Sequence, residues 1–196
     1  MNELEWAESV QSLVNARLKR ARPSITMRLG ARLPYASEIL LYKEHSPARH
    51  DTVSYQTDLL VVEQIDQDTW RPRVVIETKI GSVTTHDSIT YSEKAFTHKR
   101  VHPYLRYGIL LGNRRHYPLP GRLFRHGLYF DLMLSWAGEA PTRREAKTLM
   151  ELLLDEVEAS KNLEDILYRS RRSDRKRYVV LHRPLRLSLP RFSGQG

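Results

Sequence analysis

Two apolar segments that each carry isolated charges constrain the fold of this chain more than any other feature. Residues 53–63 (VSYQTDLLVVE) and 73–80 (RVVIETKI) are rich in β-branched and aliphatic residues, and a short polar turn separates them. This pattern predicts two strands of an antiparallel hairpin. A symmetric hairpin pairs residues whose numbers sum to 135, which places Asp58 directly opposite Glu77, although one bulge would shift that pairing by a residue.

Asp58, Glu77 and Lys79 stand in otherwise apolar strands, where a charge costs free energy unless it is paired or bound to a metal ion. Glu77 and Lys79 are two positions apart, so their side chains point to the same face of the strand. Opposed carboxylates repel each other, and a divalent cation such as Mg²⁺ or Mn²⁺ relieves that repulsion. A neighbouring lysine can assist an attacking water, so the set predicts phosphodiester hydrolysis. A salt-bridged cluster on a solvated face is the alternative.

The net charge of +9 indicates a polyanionic partner, of which nucleic acid is the commonest, with an acidic membrane surface as the rival. No apolar run reaches the roughly 18 residues of a transmembrane helix, and the acidic N-terminus MNELEWAESV does not resemble a secretory signal. The absence of cysteine excludes disulfides and cysteine-based zinc sites. We therefore expect a cytoplasmic protein without a membrane partner.

The remaining hydrophobic pattern predicts an α/β fold in which helices cover both faces of a mixed β-sheet. Residues 1–196 are expected to form a single domain. The pattern predicts helices over 2–20, 86–101 and a long C-terminal stretch, 142–169, further strands over 36–43, 107–112 and 127–136, a basic loop over 113–126 and an extended segment over 178–189.

Asp58, the run Glu77-Thr78-Lys79, the helix after it and the strand YGILLG together resemble the PD-(D/E)xK nuclease superfamily, which has the restriction endonuclease-like fold. The resemblance implies that Asp58 and Glu77 bind Mg²⁺, for which Mn²⁺ can substitute. It also implies that the backbone carbonyl of Thr78 is a further metal ligand and that Lys79 serves the attacking water.

The resemblance covers residues 1–112, the nuclease core, and leaves 113–196 as a C-terminal extension. Thr57 stands where the name of the motif has a proline. Members of the superfamily often add a catalytic glutamate from the first helix, and Glu8 is the preferred candidate here. The alternatives are Glu5 on the same helix and Glu38 on the first predicted strand, and an exposed surface charge is an equal alternative for each.

Basic residues in three places are expected to contact DNA. The helix 86–101 follows the second motif, and helices at that position often flank the active centre in proteins that the chain resembles. The loop 113–126 alternates arginines with aromatic residues, which suits phosphate contact and base stacking. The basic run 169–177 follows the last helix. A solvated surface is the alternative throughout. The candidates are Lys94, Lys99, Arg114, Arg115, Arg122, Arg125, Arg171 and Arg172.

The sequence therefore predicts a Mg²⁺-dependent DNA endonuclease, and the resemblance implies restriction of foreign DNA, with repair and mobile-element nucleases as alternatives. Cutting both strands is simplest with two copies related by a two-fold axis, so a homodimer, with the helix 142–169 as a seam, is a further hypothesis. No GxxxxGK[ST] loop occurs, so no nucleotide cofactor is expected. The competing functions are a nucleic-acid-binding module that does not cut and a subunit that docks onto other proteins.

Overall fold

A computed structural model describes residues 2–114, 119–169, 180–182 and 185–187 of the chain. Within these ranges, the helices are α1 (Glu3–Ala21), α2 (Thr85–Val101), α3 (Gly121–His126) and α4 (Arg143–Glu164), and a π-helical turn (Asp165–Arg169) follows α4. The strands are β1 (Ile25–Leu29), β2 (Arg32–Lys43), β3 (Ser46–Gln56), β4 (Leu59–Gln64), β5 (Trp70–Ile80), β6 (Arg106–Gly112) and β7 (Leu132–Ser135). No helix of the described residues is long and apolar enough to cross a membrane.

The central sheet is mixed and has the strand order β1-β4-β5-β6-β7. β1, β4 and β5 are antiparallel neighbours, whereas β6 is parallel to β5 because α2 carries the chain back between them. The pairs from Leu59–Ile76 to Val61–Val74 have residue numbers that sum to 135, so the predicted register of the hairpin is confirmed next to the site. A bulge after Val61 shifts the pairing nearer the turn.

Helices cover both faces of the central sheet, as the sequence predicts. α1 and α4 pack on one face, where Val14 and Leu153 join Ile76 in the largest core cluster. α2 lies on the opposite face, where Ala95 packs with Val75. Capping boxes at the first turns of α1, α2 and α4 determine where these helices begin. Because the apolar stripe of α4 is buried in the core, it is not available as the dimer seam considered above.

The structure divides the predicted strand 53–63 in two, so the prediction of one continuous strand is wrong. The residues up to position 56 belong to β3, and β4 starts the next strand in the central sheet. Between them, the amide of Thr57 donates to the carbonyl of Ala31 (2.9 Å), and the amide of Gly30 donates to the carbonyl of Asp58 (3.0 Å). Both halves are extended, so the residue pattern does not reveal that the chain passes from one sheet to another.

Other regions also differ from the sequence prediction. β1 is absent from the prediction, although its short segment alternates apolar and polar residues as a half-buried strand does. The region predicted as a basic loop contains α3. Only Leu132–Ser135 of the predicted strand 127–136 is extended, because the chain turns after α3 before it enters the sheet. Most of the predicted extended segment 178–189 lies outside the described residues.

β2 and β3 form an antiparallel two-stranded ribbon that is separate from the central sheet. Only the base of the ribbon packs against the protein, at α2, where Leu33 joins the core beside Ala95. Every residue from position 37 to position 53 is exposed. β3 ends two residues before Asp58, so the base of the ribbon lies beside the predicted site.

Candidate active site

The predicted site lies where β4 begins and β5 ends. Asp58 occupies the bend that precedes β4, and its Oδ2 accepts hydrogen bonds from the amide (2.7 Å) and the hydroxyl (3.0 Å) of Thr78. These bonds hold the Asp58 carboxylate against β5, beside Glu77. Lys79 follows two positions along the same strand. The structure thus places the predicted residues Asp58, Glu77, Thr78 and Lys79 at one end of the hairpin.

Glu77 is fully buried, which is rare for a glutamate. Its Oε1 accepts a hydrogen bond from the hydroxyl of Tyr107, whereas its Oε2 is buried without a hydrogen-bond partner among the described residues, with Lys94 Nζ at 3.9 Å. Burial, followed by the charge of Asp58, raises the pKa of Glu77 to about 7, against the opposing influence of Lys94 and Tyr107. The carboxyl group therefore exchanges its proton near neutral pH, and a bound cation would favour the ionised form.

The first helix contributes Glu3 to the site, since Glu3 Oε1 lies 3.1 Å from Lys79 Nζ. The predicted residue Glu8 is exposed further along α1, and within the described chain its side chain has no ion pair or hydrogen bond with the site. Of the two alternatives, Glu5 accepts a hydrogen bond in the capping box of α1, and Glu38 lies on the exposed part of the ribbon. The structure therefore brings together Lys79 and Glu3, a pairing that the helical pattern alone did not indicate.

Tyrosines surround the carboxylates, and sequence reasoning missed all of them. Lys94, which was expected to face DNA, instead points at Glu77, and its Nζ lies 5.3 Å from the ring centroid of Tyr91 and 5.9 Å from that of Tyr55. Burial and the nearby carboxylates raise the pKa of Tyr91. One signal was present in the sequence: Tyr107 stands in a buried aliphatic strand, where its hydroxyl needs a polar partner.

Two of the residues expected to bind DNA are held by contacts within the protein. Lys99 Nζ donates to the carbonyl of Tyr129 (2.7 Å) and pairs with Asp131 Oδ2 (2.7 Å), and desolvation lowers its pKa. Arg114 Nη1 donates to the carbonyl of Gly81 (2.8 Å), which ties the segment after β6 to the end of β5. Lys99 and Arg114 therefore contribute contacts to the fold around the site, although Arg114 Nε is buried without a hydrogen-bond partner among the described residues, and the DNA contacts of both residues stay predictions.

The other basic candidates divide into two groups. Arg122 and Arg125 are exposed on α3, where they can reach a phosphate backbone. Arg115, Arg171 and Arg172 lie outside the residues that the structure describes, so their predicted contacts remain predictions.

The donor chemistry of the cluster is compatible with a divalent cation. In the described part of the chain, no group of three His, Asp or Glu residues could hold a metal ion. The side-chain ligands would therefore be Asp58 and Glu77 alone. Mg²⁺ commonly keeps several waters and takes only one or two protein carboxylates. The buried Glu77 Oε2, which has no hydrogen-bond partner there, fits such a ligand, and the role of the Thr78 carbonyl remains a prediction.

Comparison of the chain with models of known protein families finds no match, and no similar protein is found among curated proteins. The functional assignment therefore depends on the residues and the geometry described above.

Proposed function

We propose that this protein is a divalent-metal-dependent nuclease that hydrolyses phosphodiester bonds in DNA. The observation that carries the proposal is the buried carboxylate of Glu77 beside Asp58, with an Oε2 atom that has no hydrogen-bond partner in the described chain. A buried polar atom without a partner costs free energy, and two adjacent carboxylates repel each other. A bound Mg²⁺ or Mn²⁺ ion would offset both costs.

Each residue of the cluster has a distinct role in this proposal. Asp58 and Glu77 hold the cation, which when bound lowers the pKa of a water ligand and stabilises charge on the phosphate. Thr78 holds Asp58 in place through its two hydrogen bonds, and Tyr107 orients Glu77 through its hydroxyl. Lys79 assists the attacking water after the substrate phosphate displaces Glu3 from its ammonium group.

Similarity to the PD-(D/E)xK superfamily and its restriction endonuclease-like fold is part of the proposal. It is supported by the order of the parts: an antiparallel β4–β5 hairpin with an acid from each strand end, a lysine two positions later, then α2 and the parallel strand β6. The departure at Thr57 has a physical explanation. Its amide and its hydroxyl both donate to the carbonyl of Ala31 (2.9 and 2.8 Å), and proline could make neither bond.

DNA is proposed as the substrate because the chain has a net charge of +9 and exposes Arg122 and Arg125 on α3. Restriction of foreign DNA in the cytoplasm is the biological role that the resemblance implies, and repair and mobile-element nucleases would use the same chemistry. The proposal requires no nucleotide cofactor.

Incubation of the purified chain with supercoiled plasmid tests the proposal. We expect nicking in the presence of Mg²⁺ or Mn²⁺, loss of nicking with EDTA, and a decrease of at least about a thousandfold in Asp58→Asn and Glu77→Gln, which corresponds to roughly 4 kcal/mol of activation free energy. Lys79→Ala is also expected to lose nicking. Glu8→Gln is the matched control, because Glu8 is an exposed glutamate without a contact to the cluster in the described structure.

Metal binding can be measured separately from cleavage. A cation that binds only the folded protein raises its melting temperature. We expect Mg²⁺ to raise the melting temperature of the wild type and of Glu8→Gln, but not that of Glu77→Gln. Near-normal nicking by Asp58→Asn, or no nicking and no thermal shift with either cation, would contradict the proposal.

A nucleic-acid-binding module that does not cut is the second candidate. It is favoured by the internal partners in the cluster: Asp58 is bonded to Thr78, and Lys79 is paired with Glu3. For this candidate, we would expect salt-dependent DNA binding that is unchanged in Glu77→Gln, without nicking under any metal condition.

A further inference from the structure

The outer part of the β2–β3 ribbon exposes a run of apolar side chains. Four consecutive residues of β2 are between 48% and 59% exposed, namely Ile39, Leu40, Leu41 and Tyr42. The pairing with β3 is irregular on both sides of Leu41, so the run does not follow the strict alternation of faces of a regular strand. Contiguous apolar surface of this kind on a folded protein indicates an interaction site.

The ribbon is also too small to be stable by itself. A two-stranded hairpin is marginally stable at best in water, and three or more strands, or packing on a helix, are needed for independent stability. Here α2 contacts the base of the ribbon, whereas every residue from 37 to 53 is exposed. A further strand beside the ribbon would cover its exposed apolar surface and would also enlarge the ribbon to the three strands that a stable sheet needs.

The two edges of the ribbon differ in how open they are to such a strand. The β3 edge contains Pro47, which lacks an amide proton, and Arg49, His50 and Asp51, all of which discourage pairing. The outer part of β2 contains no proline and is apolar. Each strand has one extra residue in this part of the ribbon, Leu40 in β2 and Ala48 in β3, so irregular pairing does not distinguish the two edges. We therefore expect the free edge of β2, and not that of β3, to accept a strand.

The β1 edge of the central sheet, unlike the edge of β2, is protected against pairing with a further strand. At β1, the side chain of Asn15 on α1 donates to the carbonyl of Met27 (2.9 Å) and accepts from its amide (2.8 Å). This carboxamide satisfies the backbone groups that a neighbouring strand would otherwise bind. No side chain among the described residues does the same for the outer part of β2.

The charge of the ribbon argues against a polyanionic partner. Although the chain as a whole has a net charge of +9, the basic and acidic residues of the ribbon are equal in number. The basic residues are Arg32, Lys43 and Arg49, and the acidic residues are Glu38, Glu44 and Asp51. A second copy of the chain presents the same balanced charge and the same apolar run, so two ribbons can meet without net charge repulsion and each covers the apolar run of the other.

We propose that the ribbon is a dimerisation arm in which β2 of one copy pairs antiparallel with β2 of a second copy. With a two-fold axis through the apolar run, the residue on the axis faces the same residue of the second copy, and each residue before the axis faces one after it. The two ribbons then form one four-stranded sheet, which exceeds the size that is needed for independent stability. The inference does not depend on nuclease activity, since it concerns a surface outside the carboxylate cluster.

Sedimentation equilibrium of the full chain tests this arm. We expect the wild type to have twice the 23.0 kDa mass of one chain at the higher protein concentrations. Leu40→Lys places a charge at the proposed interface and is expected to restore the mass of one chain. Leu128→Lys is the matched control and should remain dimeric, because Leu128 is 75% exposed at a position outside the ribbon. Circular dichroism checks that both variants are folded.

Cysteine substitution provides a second readout, because the chain has no cysteine and a single one can form a disulfide only with another copy. Directly opposed residues in an antiparallel pair have Cα atoms about 4.5–5.5 Å apart, within the range of a disulfide. At least one of Ile39→Cys, Leu40→Cys and Leu41→Cys is expected to form a disulfide-linked dimer at low protein concentration, whereas Leu128→Cys is not. A monomeric wild type, a Leu40→Lys variant that stays dimeric, or equal cross-linking of Leu128→Cys would overturn the proposal.

Discussion

The end of the β4–β5 hairpin buries a charged side chain, whereas the outer β2–β3 ribbon exposes apolar side chains. The two regions thus depart in opposite ways from the usual burial of apolar groups and exposure of charged ones. At the end of the hairpin, the carboxylate of Glu77 is buried among apolar strands, and one of its oxygens has no hydrogen-bond partner within the described chain. In the ribbon, by contrast, a run of apolar side chains is exposed to solvent. Each arrangement costs free energy in the isolated chain. The two regions are therefore suited to different partners, a cation in one place and an apolar strand in the other.

A second buried charge shows that burial alone does not indicate function. Arg73 is 1% exposed, like Glu77, but its guanidinium is surrounded by acceptors. It pairs with Glu63 (Nε to Oε2, 2.9 Å) and with Glu164 (2.7 Å), and it donates to the hydroxyl of Ser160 (3.4 Å). These contacts join β4 and β5 to α4. The difference between the two buried charges therefore lies in how well they are paired: Arg73 has close acceptors, whereas Glu77 Oε2 has no hydrogen bond in the described chain and only the ammonium of Lys94 at 3.9 Å.

The largest effect is expected from removal of the satisfied charge. Arg73→Ala removes the buried centre of this network, although Glu63 keeps Lys161 (2.6 Å) and Glu164 keeps Arg71 (3.2 Å). We expect a loss of about 3–5 kcal/mol in the free energy of unfolding, because the buried guanidinium, its packing and its hydrogen bonds are all lost. Urea denaturation at neutral pH measures the loss. Arg71→Ala is the matched control, because Arg71 also pairs with Glu164 but has a side chain that is 42% exposed, and we expect a loss of at most about 1 kcal/mol. Equal losses for the two variants would show that the buried arginine contributes no more to stability than the exposed one.

Removal of the unsatisfied charge is expected to have the opposite sign. The pKa of Glu77 is raised from 4.5 to about 7 in the folded protein, so the folded state retains a proton that the unfolded state releases between these values. Stability from this group is therefore full below the unfolded pKa, and it is lost as the pH rises through the folded pKa. Above that pH, the ionised carboxylate costs up to about 3 kcal/mol.

The variant Glu77→Gln should consequently be more stable than the wild type at about pH 8 in EDTA, by up to about 3 kcal/mol, and the difference should shrink towards about pH 5. Urea denaturation across this pH range measures the difference. Glu93→Gln, on the exposed side of α2, serves as the control and should show no such trend. A Glu77→Gln variant that is less stable than the wild type at the higher pH would show that the fold needs the ionised carboxylate even without a cation.

Local patterns in the sequence were sufficient for the existence of the hairpin but not for all of its register. The pairs next to the turn have residue numbers that sum to 134, which would place Asp58 opposite Ile76, and the bulge after Val61 changes the sum to the predicted 135 on the side of the acids. The helices α1 and α2 and the strand β6 were also predicted to within one residue, because their apolar spacing and terminal residues are clear. These features depend on neighbours in the sequence.

The features that sequence reasoning missed depend on contacts between distant segments. Glu3 reaches Lys79 because α1 docks against the end of β6, where a Cβ on Gly112 would lie 2.4 Å from the ring of Trp6. Lys94 turns towards Glu77 because α2 crosses that face of the sheet. No local spacing specifies either contact. The preference for Glu8 over Glu5 followed from helical rotation alone, without knowledge of how the helix meets the sheet, and Glu3 was not among the candidates.

The smallest effect on the monomer is expected in the ribbon, where Leu41 is 58% exposed. Leu41→Ala should change the free energy of unfolding by no more than about 0.5 kcal/mol in dilute protein, because little packing is lost. Leu60→Ala, at a fully buried leucine of β4, is the matched control and should cost about 2–5 kcal/mol. The informative measurement is the dependence on concentration: a dimer that forms only from folded chains raises the melting temperature as protein concentration rises. The melting temperature of Leu41→Ala should depend less on protein concentration, and that of Leu60→Ala should keep the dependence of the wild type. If the melting temperature of the wild type does not depend on protein concentration, a second copy is not the partner of the exposed apolar run.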